Sequence, residues 1–258
     1  MINLKNMNIS DEFGVEYLYI TFEITDTVES LENYNFNLYK SNNAISEFVP
    51  IAFNVADFKY RDFAVNLRNF TINYYYKIQI KNKVTGEQVF SDVYQFQKAS
   101  PDNFASAIVE IENRYLNYVV GNTEMILLQK KHMGQICSCY DDVRQMSADK
   151  TCPLCYGTSY VGGYYSPEII KVNFYNPPTE QFKFSPSDNA QDQSILQLWT
   201  SNFPLIKAED ILVDKNNIRY IVTSNMLTRK NYYVIRQILA IQMVPKYNIV
   251  YSYDIKIR

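Results

Sequence analysis

Histidine is almost absent from this chain of 258 residues, in which His132 is the only one. Histidine is the side chain that most often acts as a general acid or base near neutral pH. The carboxylates are scattered along the chain and form no recognisable catalytic constellation. The sequence therefore indicates a protein that is not an enzyme.

Long apolar runs and clusters of basic residues are missing as well. No stretch reaches the length of about 18 apolar residues that a membrane-spanning helix needs. The N-terminus lacks a charged segment followed by an apolar core, so we expect no signal peptide, folding in a cytoplasm and no membrane association. The formal net charge is −2 with no basic run, which argues against a phosphate-neutralising patch for nucleic acid.

Glycine is scarce, with 7 residues, whereas tyrosine (23) and phenylalanine (15) are abundant. Chains rich in aromatic residues and poor in glycine favour β-sheets and large contact surfaces. Tyrosine is also enriched in protein interfaces. A coding bias towards Tyr, Asn, Ile and Lys would give a similar composition, so both interpretations remain open.

Residues 1–99 alternate between apolar and polar positions as half-buried strands do. Leu18, Ile20, Phe22 and Ile24 share one side of such a strand and are expected to be buried. Seven strands are predicted, at residues 2–9, 15–24, 35–40, 48–54, 63–66, 74–81 and 93–97. Seven short strands in about 100 residues are typical of an immunoglobulin-like sandwich. The order of features in residues 67–97 resembles fibronectin type III domains, which serve as binding or spacer modules.

Residues 100–132 change to a helical period. Ser100, Pro101 and Asp102 have the character of a helix start. One apolar stripe is predicted from residues that recur at steps of three and four: Phe104, Ile108, Ile111, Tyr115 and Val119. An amphipathic helix usually packs on its own domain, and docking on a partner subunit is the alternative. Residues 123–131 are expected to form a second helix or a strand.

All four cysteines lie close together in the sequence, at Cys137, Cys139, Cys152 and Cys155. They form a C-x-C pair and a C-x-x-C pair, separated by twelve residues. Four soft thiolates can enclose Zn²⁺ in a tetrahedron that leaves no position open for water or substrate. We therefore predict a structural zinc site without metal catalysis. Gly157 stands where the chain must turn back so that backbone N–H groups can approach the sulfurs.

Other uses of these cysteines remain open. Two disulfides would require an oxidising compartment, and a redox C-x-x-C motif would require a thioredoxin-like βαβ setting. Haem attachment would require a histidine at position 156, where Tyr156 stands. An iron–sulfur cluster fits the ligand type but not the usual spacing. His132 could replace one cysteine as a ligand, although a surface position beside Lys131 is the simpler interpretation.

Residues 166–258 return to strands, which are expected at 169–175, 194–199, 232–244 and 248–257. Residues 176–192 are polar and suggest a long loop or a hairpin arm. A tight turn at 214–217 separates two apolar runs, which is a hairpin signal. Five or six strands without a helix indicate a small β-barrel or a bent sheet. The sequence thus predicts a mostly β fold in four regions: a sandwich (1–99), a helical linker (100–132), a zinc-binding knuckle (133–165) and a β-barrel-like domain (166–258).

The run C-P-L-C-Y-G-T-S-Y-V-G-G-Y at residues 152–164 is similar to a segment of structural proteins of tailed bacteriophages. In those proteins a C-x-x-C-type pair precedes C-P-x-C-[FY]-G-T-G-[FY]-x-G-G-Y, and the N-terminal domain is immunoglobulin- or fibronectin-like. The phrases E-D-I-L-V-D and R-Y-I-V, at 209–214 and 219–222, resemble the small barrel of phage head-closure and neck proteins. The resemblance implies metal-ligand roles for Cys137, Cys139, Cys152 and Cys155. This chain departs from the pattern with its C-S-C pair and with Ser159 in place of glycine, which suggests a less demanding turn at that residue.

The function implied by the resemblance is mechanical. It is that of a non-enzymatic virion protein, made in the host cytoplasm, in the neck or head–tail connector that joins the capsid portal to the tail. Its partners would be portal, neck or tail subunits and its own copies in a homo-oligomeric ring, with DNA only near it in the channel. One alternative is a tail or baseplate adaptor or a capsid decoration protein. Another is a zinc-ribbon regulator that binds nucleic acid, which predicts a basic face.

Overall fold

The computed structural model describes residues 2–11, 17–45, 47–65, 72–97, 103–120, 123–174, 195–230 and 233–255. It is mostly β, as the sequence predicts, with one short α-helix among these residues. The chain divides into two compact units. The sandwich unit comprises residues 1–100 and 131–163, and the barrel unit comprises residues 101–130 and 164–258. In the described part of the chain, no helix combines the length and the apolar character needed to cross a bilayer.

The sandwich unit contains two antiparallel sheets. Its strands are β1 (Leu4–Asp11), β2 (Leu18–Ile24), β3 (Tyr34–Ser41), β4 (Val49–Ala52), β5 (Lys59–Asp62), β6 (Tyr75–Asn82), β7 (Gln88–Phe90) and β8 (Tyr94–Gln95). One sheet has the order β1-β2-β5, and the other has the order β4-β3-β6-β7 with β8 beside β6. This arrangement confirms the predicted immunoglobulin- or fibronectin-like sandwich.

Alternation along β2 produces the core of the sandwich. Leu18, Ile20, Phe22 and Ile24 are all buried, as predicted. Phe22 packs against Phe36 and Phe58, with ring centroids 5.9 and 5.6 Å apart. The strand predicted at 63–66 is wrong over its described residues: the strand is Lys59–Asp62, and Phe63 is 69% exposed. The apolar ring of Phe63 therefore does not mark a core position.

A buried polar cluster connects the two sheets of the sandwich. Lys40 on β3 and Asp62 on β5 form an ion pair at 2.8 Å, and both side chains are nearly inaccessible to solvent. The hydroxyl of Tyr76 on β6 donates to the same carboxylate at 2.7 Å. Burial is the main cause of the raised pKa of Tyr76, and the Asp62 charge adds to it. The cluster thus joins the sheets without any cysteine.

The barrel unit closes six strands into a barrel: β9 (Thr123–Leu128), β12 (Glu168–Phe174), β13 (Leu196–Ser201), β14 (Ile211–Val213), β15 (Arg219–Lys230) and β16 (Tyr233–Met243). Their order around the barrel is β12-β13-β16-β15-β14-β9. This confirms the predicted small barrel. The core consists of alternate inward-facing side chains, among them Leu127, Val172 and Leu239. Of the two possibilities for residues 123–131, the strand is the one observed, and it closes the barrel between β12 and β14.

The predicted turn between β14 and β15 is also present. Asp214 Oδ1 accepts the backbone N–H groups of Asn216 and Ile218, each at 2.8 Å. The strand predicted at 248–257 is wrong at Ile249–Ser252, which form a 3₁₀ helix. Its first turn is capped by Asn248, and the buried guanidinium of Arg219 donates to the carbonyls of Val250 and Tyr253. These side-chain bonds replace the ladder that a strand would need. The segment 176–192 lies outside the described residues.

Helix α1 (Asn103–Tyr115) continues as a π-helical turn, Leu116–Val120, and contacts β13 and β16. The predicted helix is present, but the barrel packs against a face of the helix beside the predicted apolar stripe, so packing of the stripe on its own domain is not what is observed. Ala105, Val109 and Leu116 are the buried residues, whereas Phe104 and Ile111 are 63% and 65% exposed. The small side chains of Ala105 and Val109 let the helix approach the barrel closely. The proposed start at 100–102 lies outside the described residues.

Candidate metal centre

The four cysteine sulfurs meet in one place. Each sulfur lies within 4.8 Å of the other three. Cys139 Sγ is 3.4 Å from Cys137 Sγ and 3.4 Å from Cys155 Sγ, and Cys137 Sγ is 3.8 Å from Cys152 Sγ. Sulfurs about 2.3 Å from a tetrahedral metal ion are separated by roughly 3.8 Å. All four cysteines are free, and a disulfide would bring two sulfurs to about 2.05 Å. The cluster could therefore hold a metal ion.

Two tight turns direct the sulfurs inward. The first is closed by Tyr140 N–H donating to the Cys137 carbonyl at 3.0 Å, and the second by Tyr156 N–H donating to the Cys152 carbonyl at 2.8 Å. Backbone N–H groups of Leu154 and Cys155 also point at Cys152 Sγ. Between the pairs, β10 (Tyr140–Asp141) and β11 (Met146–Ser147) form a short hairpin that carries the chain from one pair to the other.

Burial and backbone dipoles act in opposite directions on the thiols. Burial raises the pKa of Cys137, and it raises the pKa of Cys139 to about 12. The backbone N–H groups that donate to Cys152 lower the pKa of that thiol to about 7. Collecting four thiolates in this enclosed space would be costly by itself, because charges of one sign repel where little water screens them. A divalent cation removes that cost, which is the behaviour of a metal-binding donor set.

The backbone near the second pair is strongly constrained. Gly157 has φ +77°, and a Cβ there would lie 3.0 Å from the carbonyl oxygen of Lys150. Gly163 has φ +68°, and its Cβ would lie 2.8 Å from the Tyr156 ring. Both positions therefore require glycine. The expectation of a less demanding turn at Ser159 is wrong: its φ is +81°, in the left-handed region that favours glycine. Ser159 holds that conformation while its carbonyl accepts Cys137 N–H at 3.0 Å.

Residues 133–163, called the metal module below, are anchored to the sandwich by the segment after β2. Thr27 exchanges backbone hydrogen bonds with Gly134 and Ile136, at 3.2 and 2.8 Å. The Asp26 carboxylate accepts Gly134 N–H at 3.3 Å and the Tyr160 hydroxyl at 3.2 Å. Burial, with a smaller contribution from Asp26, raises the pKa of Tyr160 to about 12. The roles of Asp26 and Thr27 could not be predicted from the sequence, because contacts between residues more than 100 positions apart leave no local pattern.

The structure gives His132 no place among the cysteines. Its side chain is exposed, and the cluster of possible ligands consists of the four sulfurs. Ser147 is a neighbour that sequence reasoning did not identify: its hydroxyl lies 3.2 Å from Cys139 Sγ and donates to the Asp149 carbonyl at 2.7 Å. It holds the hairpin against the cysteines.

No model of a protein family matches the sequence, and no curated protein matches it either.

Proposed function

We propose that this chain is a non-enzymatic structural protein of a tailed-phage virion, in the neck or head–tail connector between portal and tail. The observation that carries the proposal is the cluster of four cysteines, because two of them lie on the C-P-x-C-Y-G-T and G-G-Y run that resembles phage proteins and the other two form the pair that precedes it. A fibronectin-like sandwich precedes that run, and most of a small barrel follows it, which is the same order of parts.

The ion proposed for the cluster is Zn²⁺, held by Cys137, Cys139, Cys152 and Cys155. Four sulfur donors favour zinc over the harder divalent ions, and a closed shell supplies structure rather than catalysis. The metal module has few apolar residues to bury, so a bound ion would supply much of its folding free energy, on the order of 10 kcal/mol in small modules. In this chain the ion would connect the β10–β11 hairpin and both turns to the part of the metal module that Asp26 and Thr27 anchor.

A role in mechanical assembly is consistent with the charges around the metal module. Arg144 is paired with Asp141 at 3.6 Å. Lys131 donates to the Val161 carbonyl at 3.0 Å, and burial lowers its pKa. Cations already engaged within the protein are poor candidates for neutralising phosphates. These contacts argue against a zinc-ribbon regulator that binds nucleic acid.

Two measurements test the proposal. Native mass spectrometry of the purified protein should show one zinc ion per chain, lost in the presence of a chelator. Immunogold labelling of phage particles that encode this chain should place it at the head–tail junction. Labelling at the distal tail or over the capsid surface would favour a baseplate adaptor or a decoration protein instead. Its absence from purified particles would refute a virion role.

A matched pair of variants distinguishes the loss of a metal ligand from a general loss of protein stability. Cys155→Ser removes a buried sulfur of the cluster, and we expect it to lose the zinc ion. Ser138→Ala alters the exposed residue between Cys137 and Cys139 and should keep one ion per chain. Metal loss in both variants, or in neither, would contradict the assignment of the ligands.

A further inference from the structure

The outer side of α1 and its π-helical turn carries five large apolar side chains that solvent reaches, here called the helix stripe. They are 47–83% exposed: Phe104, Ile111, Tyr115, Tyr118 and Val119. At about 100° per residue they fall in one sector of the helix, next to the buried face formed by Ala105, Val109 and Leu116. The helix therefore has two apolar faces, and the barrel covers only one of them.

The size of the helix stripe is that of an interface. A large aromatic or aliphatic side chain offers roughly 100–200 Å² when mostly exposed, so five of them present on the order of 500–700 Å². That is at or above the largest apolar patch of a typical monomer, about 300–600 Å². It approaches the roughly 800 Å² that each partner contributes to a standard interface.

The charges beside the helix stripe indicate what kind of partner fits it. Arg114 pairs with Glu110 at 2.5 Å, and Arg236 pairs with Glu112 at 3.7 Å. A further cation, Lys230, lies over the Phe104 ring with its Nζ 5.4 Å from the ring centroid, so these charged side chains leave one net positive charge beside the stripe. A nucleic acid would require uncompensated cations, and an interfacial membrane helix usually carries Lys and Arg in excess on its polar face. An apolar protein surface matches the stripe better than either.

We propose that the helix stripe is a head-to-tail interface between copies of this chain, docking on a different face of the next copy. The head-to-tail order rests on the proposed function, because a closed ring needs two different surfaces on each subunit. The near-neutral chain, with a net charge of −2, would not oppose association of copies through charge repulsion. Tyrosine-rich composition, for which two explanations were open, then has an interfacial use at Tyr115 and Tyr118.

The test compares the full-length chain with two single variants by light scattering after size exclusion and by native mass spectrometry. Ile111→Glu places a charge in the middle of the helix stripe. Because Ile111 is 65% exposed, the fold should tolerate it. Met226→Glu is the control, since Met226 is 61% exposed on β15 of the same unit. We expect the wild-type chain and Met226→Glu to form the same oligomer, and Ile111→Glu to associate at least about 100-fold more weakly, as an unpaired charge in a dry interface should.

Several outcomes would overturn this inference. They are a wild-type chain that stays monomeric at high micromolar concentration, an Ile111→Glu variant that assembles normally, and a control that loses assembly equally. Binding of the wild-type chain to duplex DNA or to neutral lipid vesicles that Ile111→Glu abolishes would assign the stripe to that ligand instead.

A photo-crosslinking side chain at position 111 tests the head-to-tail order. Crosslinks to residues outside the helix stripe of another copy are expected, and crosslinks between two stripes would show face-to-face pairing and contradict it. Failure of the interface is distinguishable from failure of the proposed function. Normal assembly of Ile111→Glu by a protein found at the head–tail junction would refute the interface alone. Absence of the protein from virions would refute the function, whatever its oligomeric state.

Discussion

Gly157 and Ser159 lie two residues apart and share a left-handed backbone conformation, with φ of +77° and +81°. Only glycine adopts that region without strain. Gly157→Ala should therefore destabilise the protein by about 1–3 kcal/mol, with the added contact to the Lys150 carbonyl contributing. Ser159→Gly should stabilise it by about 0.5–1 kcal/mol. Thermal unfolding of the metal-loaded variants measures both effects, and shifts of the same sign would contradict this reading of the turn.

Asp210 is a second residue whose surroundings have a measurable effect, here on the pKa of its carboxyl group. Its carboxylate is 3% exposed and accepts the backbone N–H groups of Lys130 and Lys207, each at 2.8 Å. Burial outweighs these bonds and raises its pKa to about 6, against about 3.9 in an unfolded chain. The folded state thus binds this proton more tightly than the unfolded state does. Its contribution to stability is complete below about pH 4 and is lost as the pH rises through about 6.

The carboxyl carbon of Asp210 should therefore titrate in NMR spectra with a midpoint near pH 6. In Asp210→Asn, the part of the change in unfolding free energy between about pH 4 and pH 7 that comes from this group should disappear. A midpoint below pH 4 would mean that the two backbone N–H groups outweigh burial.

At the scale of the strands, the side-chain amide of Gln237 connects β16 to its neighbours. Gln237 is fully buried; its Nε2 donates to the carbonyls of Ser201 and Pro204 at 2.9 and 2.7 Å. Its Oε1 accepts Ile206 N–H at 2.9 Å and Asn225 Nδ2 at 2.8 Å. One side chain thereby makes hydrogen bonds to the backbone groups of the loop after β13 and links that loop to β15 and β16.

Gln237→Leu should cost about 2–4 kcal/mol of unfolding free energy, since several buried polar groups lose their partner together. Urea denaturation of the variant provides the measurement. The control is Gln197→Leu on the exposed side of β13, which should change stability by no more than about 0.5 kcal/mol. Equal changes in unfolding free energy at the two positions would show that the buried hydrogen bonds of Gln237 contribute no more to stability than an exposed glutamine does.

At the scale of the whole molecule, all four cysteine sulfurs belong to one of the two units, the sandwich unit. Metal removal should therefore loosen residues 133–163 and their anchor at Asp26 and Thr27 first, while β12 to β16 of the barrel stay protected. Hydrogen exchange followed by mass spectrometry of peptides, with and without a chelator, can resolve the two units. Equal loss of protection in barrel peptides would show that the metal stabilises the whole chain.

Local patterns were sufficient for much of this protein. Three features depend on neighbours only a few residues away: the alternation along β2, the turn at Asp214 and the two cysteine pairs. Short stretches of sequence are therefore enough to predict them. Zinc itself, the virion and the ring remain predictions, because ligand type and motif resemblance favour them without identifying the ion or the partners.

Other features were decided only when distant segments met. Which face of α1 is buried depended on the fit of Ala105 and Val109 against the barrel, because both of its faces are apolar. Residues 123–128 became a strand because β12 and β14 offer ladders on both sides. Ser159 took a glycine-like conformation because its carbonyl completes a contact with Cys137. The amino-acid sequence alone indicated most of the strands, the helix and the two close cysteine pairs, because these features depend on interactions that are short in range. Their exposed faces and supporting contacts followed from long-range packing, which no local pattern records.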